Sequence, residues 1–192
     1  MKNFTLEIKG TNPLLMHSST LSNPLDEWAK AIKKVSGKRT KTEDDYEEMA
    51  NLEFFGGMYF DPEVGPYLPG DNIYRSLWDA AKKTKQGVKV KEGLVITSDL
   101  NALQYDGPRT REELWNLPQH RHTASVKVGM ARVTRTRPQF PQWSATFEGT
   151  FDNSIIDLED LRGIAETSGR LIGLGDWRPR YGRFEVVTLG LV

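Results

Sequence analysis

The chemistry open to this sequence is bounded by three imidazoles and by what is missing around them. There is no cysteine among the 192 residues, which removes disulfide scaffolds, thiolate zinc sites and cysteine nucleophiles. Histidine, whose ordinary pKa of about 6.5 suits proton transfer near neutrality, occurs only as His17, His120 and His122. His17 follows a strand-like opening segment and would stand at the mouth of a site. The run His120-Arg-His122 sets both imidazoles on one side of an extended segment. His17 and His122 are therefore the candidates for a general acid or base, as in a metal-independent nuclease. Two histidines without a convergent carboxylate do not make a metal site, so neither a metal nor a cofactor is expected. Asp44 and Asp45 point different ways on a helix and form no glycosidase pair. No Gly-x-Ser-x-Gly elbow occurs.

Charge carries more information than the histidines. The chain has 26 Lys+Arg and 26 Asp+Glu, a net charge of zero, yet the two signs are segregated. Lys30 to Lys41 holds six basic residues and no acid, and Glu43, Asp44, Asp45, Glu47 and Glu48 follow at once. Lys82 to Lys91 holds five lysines. Leu114 to Phe147 contains Arg121, Lys127, Arg132, Arg135 and Arg137 without one Asp or Glu. Such blocks create basic surfaces even when the sum is nil, although any one run alone reads equally well as a solvated face. Around Gly129 the alternation changes phase, so Arg132 faces one way and Arg135 and Arg137 the other. A core strand cannot bury guanidinium groups on both faces without partners; this segment reads as a projecting basic arm. Arginine forks suit phosphate oxygens, and Phe140 and Trp143 offer flat surfaces for bases. The alternative is a solvated hairpin with core aromatics.

A second constellation lies at Gly169–Arg183, where Gly169, Gly173, Gly175 and Gly182 alternate with Arg170, Trp177, Arg178, Arg180 and Arg183. Glycines admit positive φ and close approach, so exposed amides can face a phosphate. The loop is no P-loop and no dinucleotide fingerprint, because Gly-Lys-Ser/Thr is absent and Arg178 stands where a third glycine belongs. Its structural alternative is a tight connection in which Asp176 pairs with a neighbouring arginine.

The positioning elements follow from periodicity. Phe4, Leu6 and Ile8 alternate as a strand. Helices are expected at residues 24–35 and 42–55, and a third is expected to be capped by Asp71-Asn72, with Ile73, Leu77, Trp78 and Ala81 on one stripe. Residues 94–98 read as a strand, Thr110-Arg-Glu-Glu113 as a capping box, residues 143–151 as a strand, and Asp157 to Ser168 as a helix ended by Gly169. Phe184 to Leu191 closes as a strand. With residues 18–60 and 106–140 set aside, the order is strand, helix, strand, strand, helix, strand. This is the ferredoxin-like (RRM-like) α+β arrangement, whose open sheet face often takes single-stranded nucleic acid.

Three segments resemble one family. Gly-Leu-Gly…Gly before the last strand is similar to the glycine-rich loop of the RAMP superfamily, especially the backbone subunits of CRISPR effector complexes. Tyr67-Leu-Pro-Gly-Asp-Asn-Ile-Tyr-Arg-Ser-Leu-Trp78 resembles the family's Ile-Pro-Gly-Ser-Ser-Leu-Lys-Gly-Ala-Leu segment, and Asn12-Pro-Leu-Leu-Met-His17 resembles its opening. The resemblance implies one domain over residues 1–192, a helical insertion at 18–60, a hairpin or thumb within 106–140, and side-by-side assembly along a guide RNA or another single strand. Lys33, Lys34, Lys38, Arg39, Arg121, Lys127, Arg132, Arg135 and Arg137 would then contact the strand's backbone.

The expected function is non-catalytic binding of single-stranded RNA or DNA by a homo-oligomer, alone, in a phage context, or with other subunits of a ribonucleoprotein. An endoribonuclease using histidine, and a protein-only module imitating a CRISPR subunit, are the alternatives. Mean hydropathy is −0.54, no apolar run approaches the roughly 20 residues of a membrane span, and the opening residues lack a signal peptide's apolar core. A cytoplasmic protein without membrane contact is expected.

Overall fold

The computed structural model describes residues 1–192, apart from the side chains of Val128 and Ala131. The alternation at the start produces β1 (Lys2–Gly10), with Phe4, Leu6 and Ile8 buried and Glu7 and Lys9 exposed. A two-residue β2 (Leu14–Leu15) follows. Helix α1 (Glu27–Ser36) begins later than residue 24 because Asp26 is the cap, its carboxylate accepting from the amides of Trp28 and Ala29. Thr42 and Asp45 form a capping box for α2 (Glu43–Gly57). After β3 (Phe60–Asp61) and β4 (Gly65–Leu68) comes α3 (Gly70–Lys83). Asp71 and Asn72 do not cap α3: Pro69 holds that position without a side-chain bond, and Asp71 sits in the first turn, where a carboxylate favours the helix dipole.

The second half is built around a long arm. Helix α4 (Gly87–Gly93), β5 (Leu94–Ile96) and β6 (Asn101–Ala102) lead to α5 (Arg111–Trp115), whose Thr110 hydroxyl accepts from the Glu113 amide as expected. Strands β7 (Arg121–Val128) and β8 (Ala131–Phe140) pair over their length, with Gly129 at φ 61° in the turn between them. Strand β9 (Ser144–Phe151) precedes α6 (Leu158–Thr167), capped by Asp157. Gly169 does not end this helix. The chain continues through a wide π turn, Ser168–Ile172, and stops at Gly173 with φ 77°. Gly169 serves close packing instead, because a Cβ there would lie 2.1 Å from the carbonyl oxygen of Phe184. Strand β10 (Phe184–Leu191) closes the chain over the expected span.

The four-stranded sheet has the order β10–β1–β9–β5 with every neighbouring pair antiparallel. With α3 and α6 beside it, this is an α+β architecture compatible with a ferredoxin-like core. Leu6 stands opposite Phe147 on one side and Leu189 on the other. Phe4, Ile8, Ala145 and Phe151 extend that face against Ile73, Leu77 and Ala80 of α3 and Leu161, Ile164 and Ala165 of α6. Each large side chain buried in this way contributes roughly 1.5–3 kcal/mol of transfer free energy.

The opposite face of the sheet is open, but it is not the basic platform that the fold class leads one to expect. Glu7, Lys9, Thr146, Glu148, Glu185 and Thr188 are exposed there. Three carboxylates to one ammonium, and no aromatic among those six, is a poor surface for a polyanion. The arginines lie elsewhere, around the second sheet, β2–β8–β7. Among the described residues, no helix is long and apolar enough to cross a membrane.

Candidate nucleic-acid interface

The β7–β8 arm, α1 and the glycine-rich connection between α6 and β10 enclose a cleft of about 500 Å³. Lys33 on α1, Lys127 on β7, Arg135 and Arg137 on β8, Trp177 in the loop and His17 all line it. Leu21, Ile32 and Val126 supply its apolar walls. Residues far apart in the chain thus converge because cross-strand pairing sets His122 opposite Arg137 and Ala124 opposite Arg135 on one face of the arm.

Two of the arginines are engaged rather than free. The Arg135 guanidinium donates to Glu53 Oε1 at 2.6 Å, and the Thr136 amide donates to Glu53 Oε2 at 2.8 Å. Arg137 donates to the Asp176 carboxylate, and its guanidinium lies 5.3 Å from the Trp177 ring centre. The expectation that both reach out to phosphate is corrected accordingly: each carries an internal counter-ion. Arg137 keeps only 12% of its side chain exposed, whereas Arg135 keeps 31%. Lys33 and Lys127 are exposed, and none of the chain's ion pairs among described residues involves them.

The remaining basic candidates disperse. Lys34 and Arg39 are exposed at the end of α1 and beyond it, and Lys38 pairs with Asp45. Arg132 is exposed beside its cross-strand partner Lys127. Arg121 lies 4.8 Å over the Trp115 ring, in a different groove shared with Tyr46 and Thr134. Arg170 is exposed, Arg180 lies 5.7 Å from the Tyr181 ring, and Arg183 donates to the Pro179 carbonyl at 2.8 Å. Arg178 lines a neighbouring concavity with Lys83 and Trp177.

Phe140 and Trp143 are core residues, 0% and 3% exposed, and offer no surface to a base. Phe140 packs on Tyr105 at 4.8 Å, and the Trp143 indole N–H donates to the Asn12 carbonyl at 2.9 Å. The glycine loop is also more structural than its composition implies. Gly173, Gly175 and Gly182 take φ 77°, 73° and 72°. However, the amides of Gly173, Leu174, Asp176 and Gly182 donate inward, each at 2.8 Å, to the carbonyls of Ser168, Gly182, Leu15 and Pro13. These amides do not face an anion. Ser76 completes the clamp, its hydroxyl donating to the Gly173 carbonyl at 2.8 Å.

The histidines separate as well. His120 is not on an extended segment with His122; it ends a short 3₁₀ turn, is 2% exposed, and its Nδ1–H donates to the Gln139 carbonyl at 2.9 Å. His122 packs 5.4 Å from Trp177 and 5.3 Å from Tyr181. Its pKa lies below the ordinary value, first through burial and then through Arg137 and Arg180. The exposed His17 stands in the concave mouth of the cleft, where desolvation and then Arg137 lower its pKa, against smaller opposing effects of Asp176 and Glu53. Both imidazoles are therefore neutral at pH 7, and a polyanion in the cleft would raise their pKa values again. Binding to an oligonucleotide is expected to strengthen as pH falls from about 7 to 5, because proton uptake accompanies it. Stability moves the opposite way. The unfolded chain takes these protons first, so the fold loses stability below about pH 6.5 and is unaffected above it. Titrations and thermal melts at matched ionic strength check both signs; affinity flat over that range would remove the histidines from the interface.

Sequence reasoning missed Glu53 and Tyr181. Glu53 had a signal, since it interrupts the apolar run Leu52-Glu-Phe-Phe55 on a helix and is only 7% exposed. Tyr181 had none beyond its place in the loop.

No protein-family model matches the sequence, and no curated protein does. Among solved structures the chain is similar to one from a complex described as "Cryo-EM structure of the Type III-B Cmr-beta bound to cognate target RNA", with a TM-score of 0.53 and 12% identity. The match covers 100% of this chain and 60% of that one, so the chain spans less than two thirds of its neighbour's length. At this identity the likeness is one of fold.

Proposed function

We propose that this protein binds single-stranded nucleic acid without cleaving it, along the cleft between α1, the β7–β8 arm and the glycine-rich loop. The observation that carries the reading is the convergence of Lys33, Lys127, Arg135, Arg137 and Trp177 on one concavity. Glu53 and Asp176 balance Arg135 and Arg137, so the unpaired ammonium groups of Lys33 and Lys127 give the cleft its net positive character, and ribose and deoxyribose backbones both satisfy such contacts. The fold's likeness to a chain of an RNA-bound CRISPR complex supports RNA as the strand and a ribonucleoprotein as the setting. Within that reading, residues 18–60 and 106–140 are insertions into one RRM-like domain, and copies assemble side by side along the strand. The acidic residues Glu43, Asp44, Glu47 and Glu48, exposed on α2, would meet a neighbour's basic surface.

Counter-ion release is the signature. With two phosphates neutralised by Lys33 and Lys127, log K should fall against log salt with a slope of about −1.4, or roughly sevenfold between about 50 and 200 mM. Fluorescence anisotropy with labelled oligo(rU) and oligo(dT) measures this. No binding at low salt would overturn the proposal and leave a protein-only interaction module. One observation favours a second reading: His17 lies in the cleft mouth, where burial and then the neighbouring Arg137 lower its pKa, which favours the unprotonated form a general base needs. Cleavage of RNA by the wild type and not by His17→Ala would establish it.

A further inference from the structure

Four residues of the connection from α6 to β10 take positive φ, and three of them are glycine: Gly173, Gly175 and Gly182. The fourth is Trp177, at φ 53°. A bulky aromatic in the left-handed region is a strained outlier, and the loop already uses glycine wherever geometry alone decides. Retained strain of this kind marks a side chain kept for what it contacts. The indole of Trp177 is half-buried and forms a wall of two concavities at once. One is the 500 Å³ cleft; the other, of about 580 Å³, is lined by Lys83 and Arg178. His122 meets the ring edge-on at 83°, Tyr181 lies 6.0 Å away, and the Arg137 guanidinium rests 5.3 Å from its centre. The ring is thus braced in place between the cleft and a hollow in which Lys83 and Arg178 stand beside Asp79, itself paired with Arg75 and Lys82, and Asp176, paired with Arg137.

We infer that Trp177 is the base-stacking residue of the interface, and that a single strand crosses it from the cleft into the Lys83–Arg178 hollow. This rests on the nucleic-acid reading above and adds the path and the stacking site. Lys33 and Lys127 hold the backbone on one side of the ring, Lys83 and Arg178 on the other. The π-face takes one base of any identity, so the contact favours unpaired over paired strands without sequence preference.

The test uses labelled oligo(rU), oligo(dT) and a chain of abasic spacers, each of about 20 nucleotides, longer than one such module covers. Trp177→Gly removes the ring and relieves the backbone but gives up the contacts with His122, Tyr181 and Arg137, so its melting temperature should fall modestly while the protein stays folded. Its affinity for base-bearing strands should fall about fivefold to 150-fold, while affinity for the abasic chain stays unchanged. Trp177→Leu, which keeps bulk and strain but lacks a π-face, should lose the same factor; Trp177→Phe should keep most of the affinity. The ratio of oligo(rU) to oligo(dT) affinity tells whether the ring takes RNA or DNA bases. If the wild type binds the oligonucleotides and Trp177→Leu binds them equally well, or loses as much on the abasic chain, the stacking inference is wrong while the cleft stands. If the wild type binds none of the three chains, the functional reading itself fails.

Discussion

Gly182→Ala is expected to remove more than about 4 kcal/mol of stability, a large share of the 5–15 kcal/mol typical of a domain. The residue lies at φ 72°, and an added Cβ would stand 1.8 Å from the Leu174 carbonyl oxygen and 2.8 Å from its carbon. Both are backbone atoms, so no side chain can swing aside. Relief requires parting Leu174 N–H from the Gly182 carbonyl and Gly182 N–H from the Pro13 carbonyl, both at 2.8 Å. Those two bonds fasten the loop to itself and to the segment between β1 and β2. Gly129→Ala is the control: its φ of 61° is similar, but nothing lies within 4 Å of the new Cβ. Only the conformational penalty applies there, about 1 kcal/mol. Urea denaturation measures both, and equal midpoints would show that the loop's closeness is not what holds the fold together.

The second large effect is expected at Glu53. Its carboxylate is buried, accepts from Arg135 and ties α2 to the β8 backbone at Thr136. The pairing of β2 with β8 covers only Phe140 and Gln139, and the following Met16 N–H donates to the Pro138 carbonyl at 3.0 Å, two residues short of Thr136. The carboxylate therefore takes over where the strand partner ends. Glu53→Ala leaves the Thr136 amide unsatisfied and a half-buried guanidinium unpaired. A broken buried pair costs about 3–5 kcal/mol; with Arg135 still 31% exposed to water, about 2–3 kcal/mol is expected here. Glu53→Gln keeps an acceptor for Thr136 and should lose less. It also removes the counter-ion of Arg135, so oligonucleotide affinity should rise in Glu53→Gln even as stability drops. Reduced affinity in that variant would mean that Arg135 works only as part of the arm's anchor.

Local rules carried the elements far. Alternation at Phe4, Leu6 and Ile8 located β1, the β10 boundaries at Phe184 and Leu191 agree, and Thr110 and Asp157 cap the helices they precede. The departures come from contacts between distant parts of the chain. Gly169 resembles a helix stop, yet its missing Cβ is used by Phe184, 15 residues on, and the helix runs past it. Phe140 and Trp143 sit among prolines and glutamines like exposed aromatics, but Tyr105 and the Asn12 carbonyl claim them. The same holds for charge. Arg135 meets a carboxylate 82 residues away and Arg137 one 39 residues away, distances over which a charge pattern says nothing about pairing. The sequence alternative pairs Asp176 with an arginine of its own loop, whereas its partner is Arg137 on β8; the Glu53 partnership has no counterpart in the sequence reading. What the sequence could not order is which cations stay free, and Lys33 and Lys127 emerge only once the arm closes over α1.

In the proposed function the strand lies in this cleft and not on the open sheet. Oligonucleotide affinity of Lys33→Glu/Lys127→Glu, set against Glu7→Lys/Glu148→Lys, tests it most directly. Both pairs change four units of charge on exposed residues, one removing positive charge from the cleft and the other adding it to the sheet face. Binding in the cleft leads to a loss of about thirtyfold or more, and a salt slope shallower by about 1.4, for the cleft variant. For the sheet variant no more than about a twofold gain is expected, from general field effects. Unchanged binding after reversal in the cleft, together with a strong gain from reversal on the sheet, would contradict it.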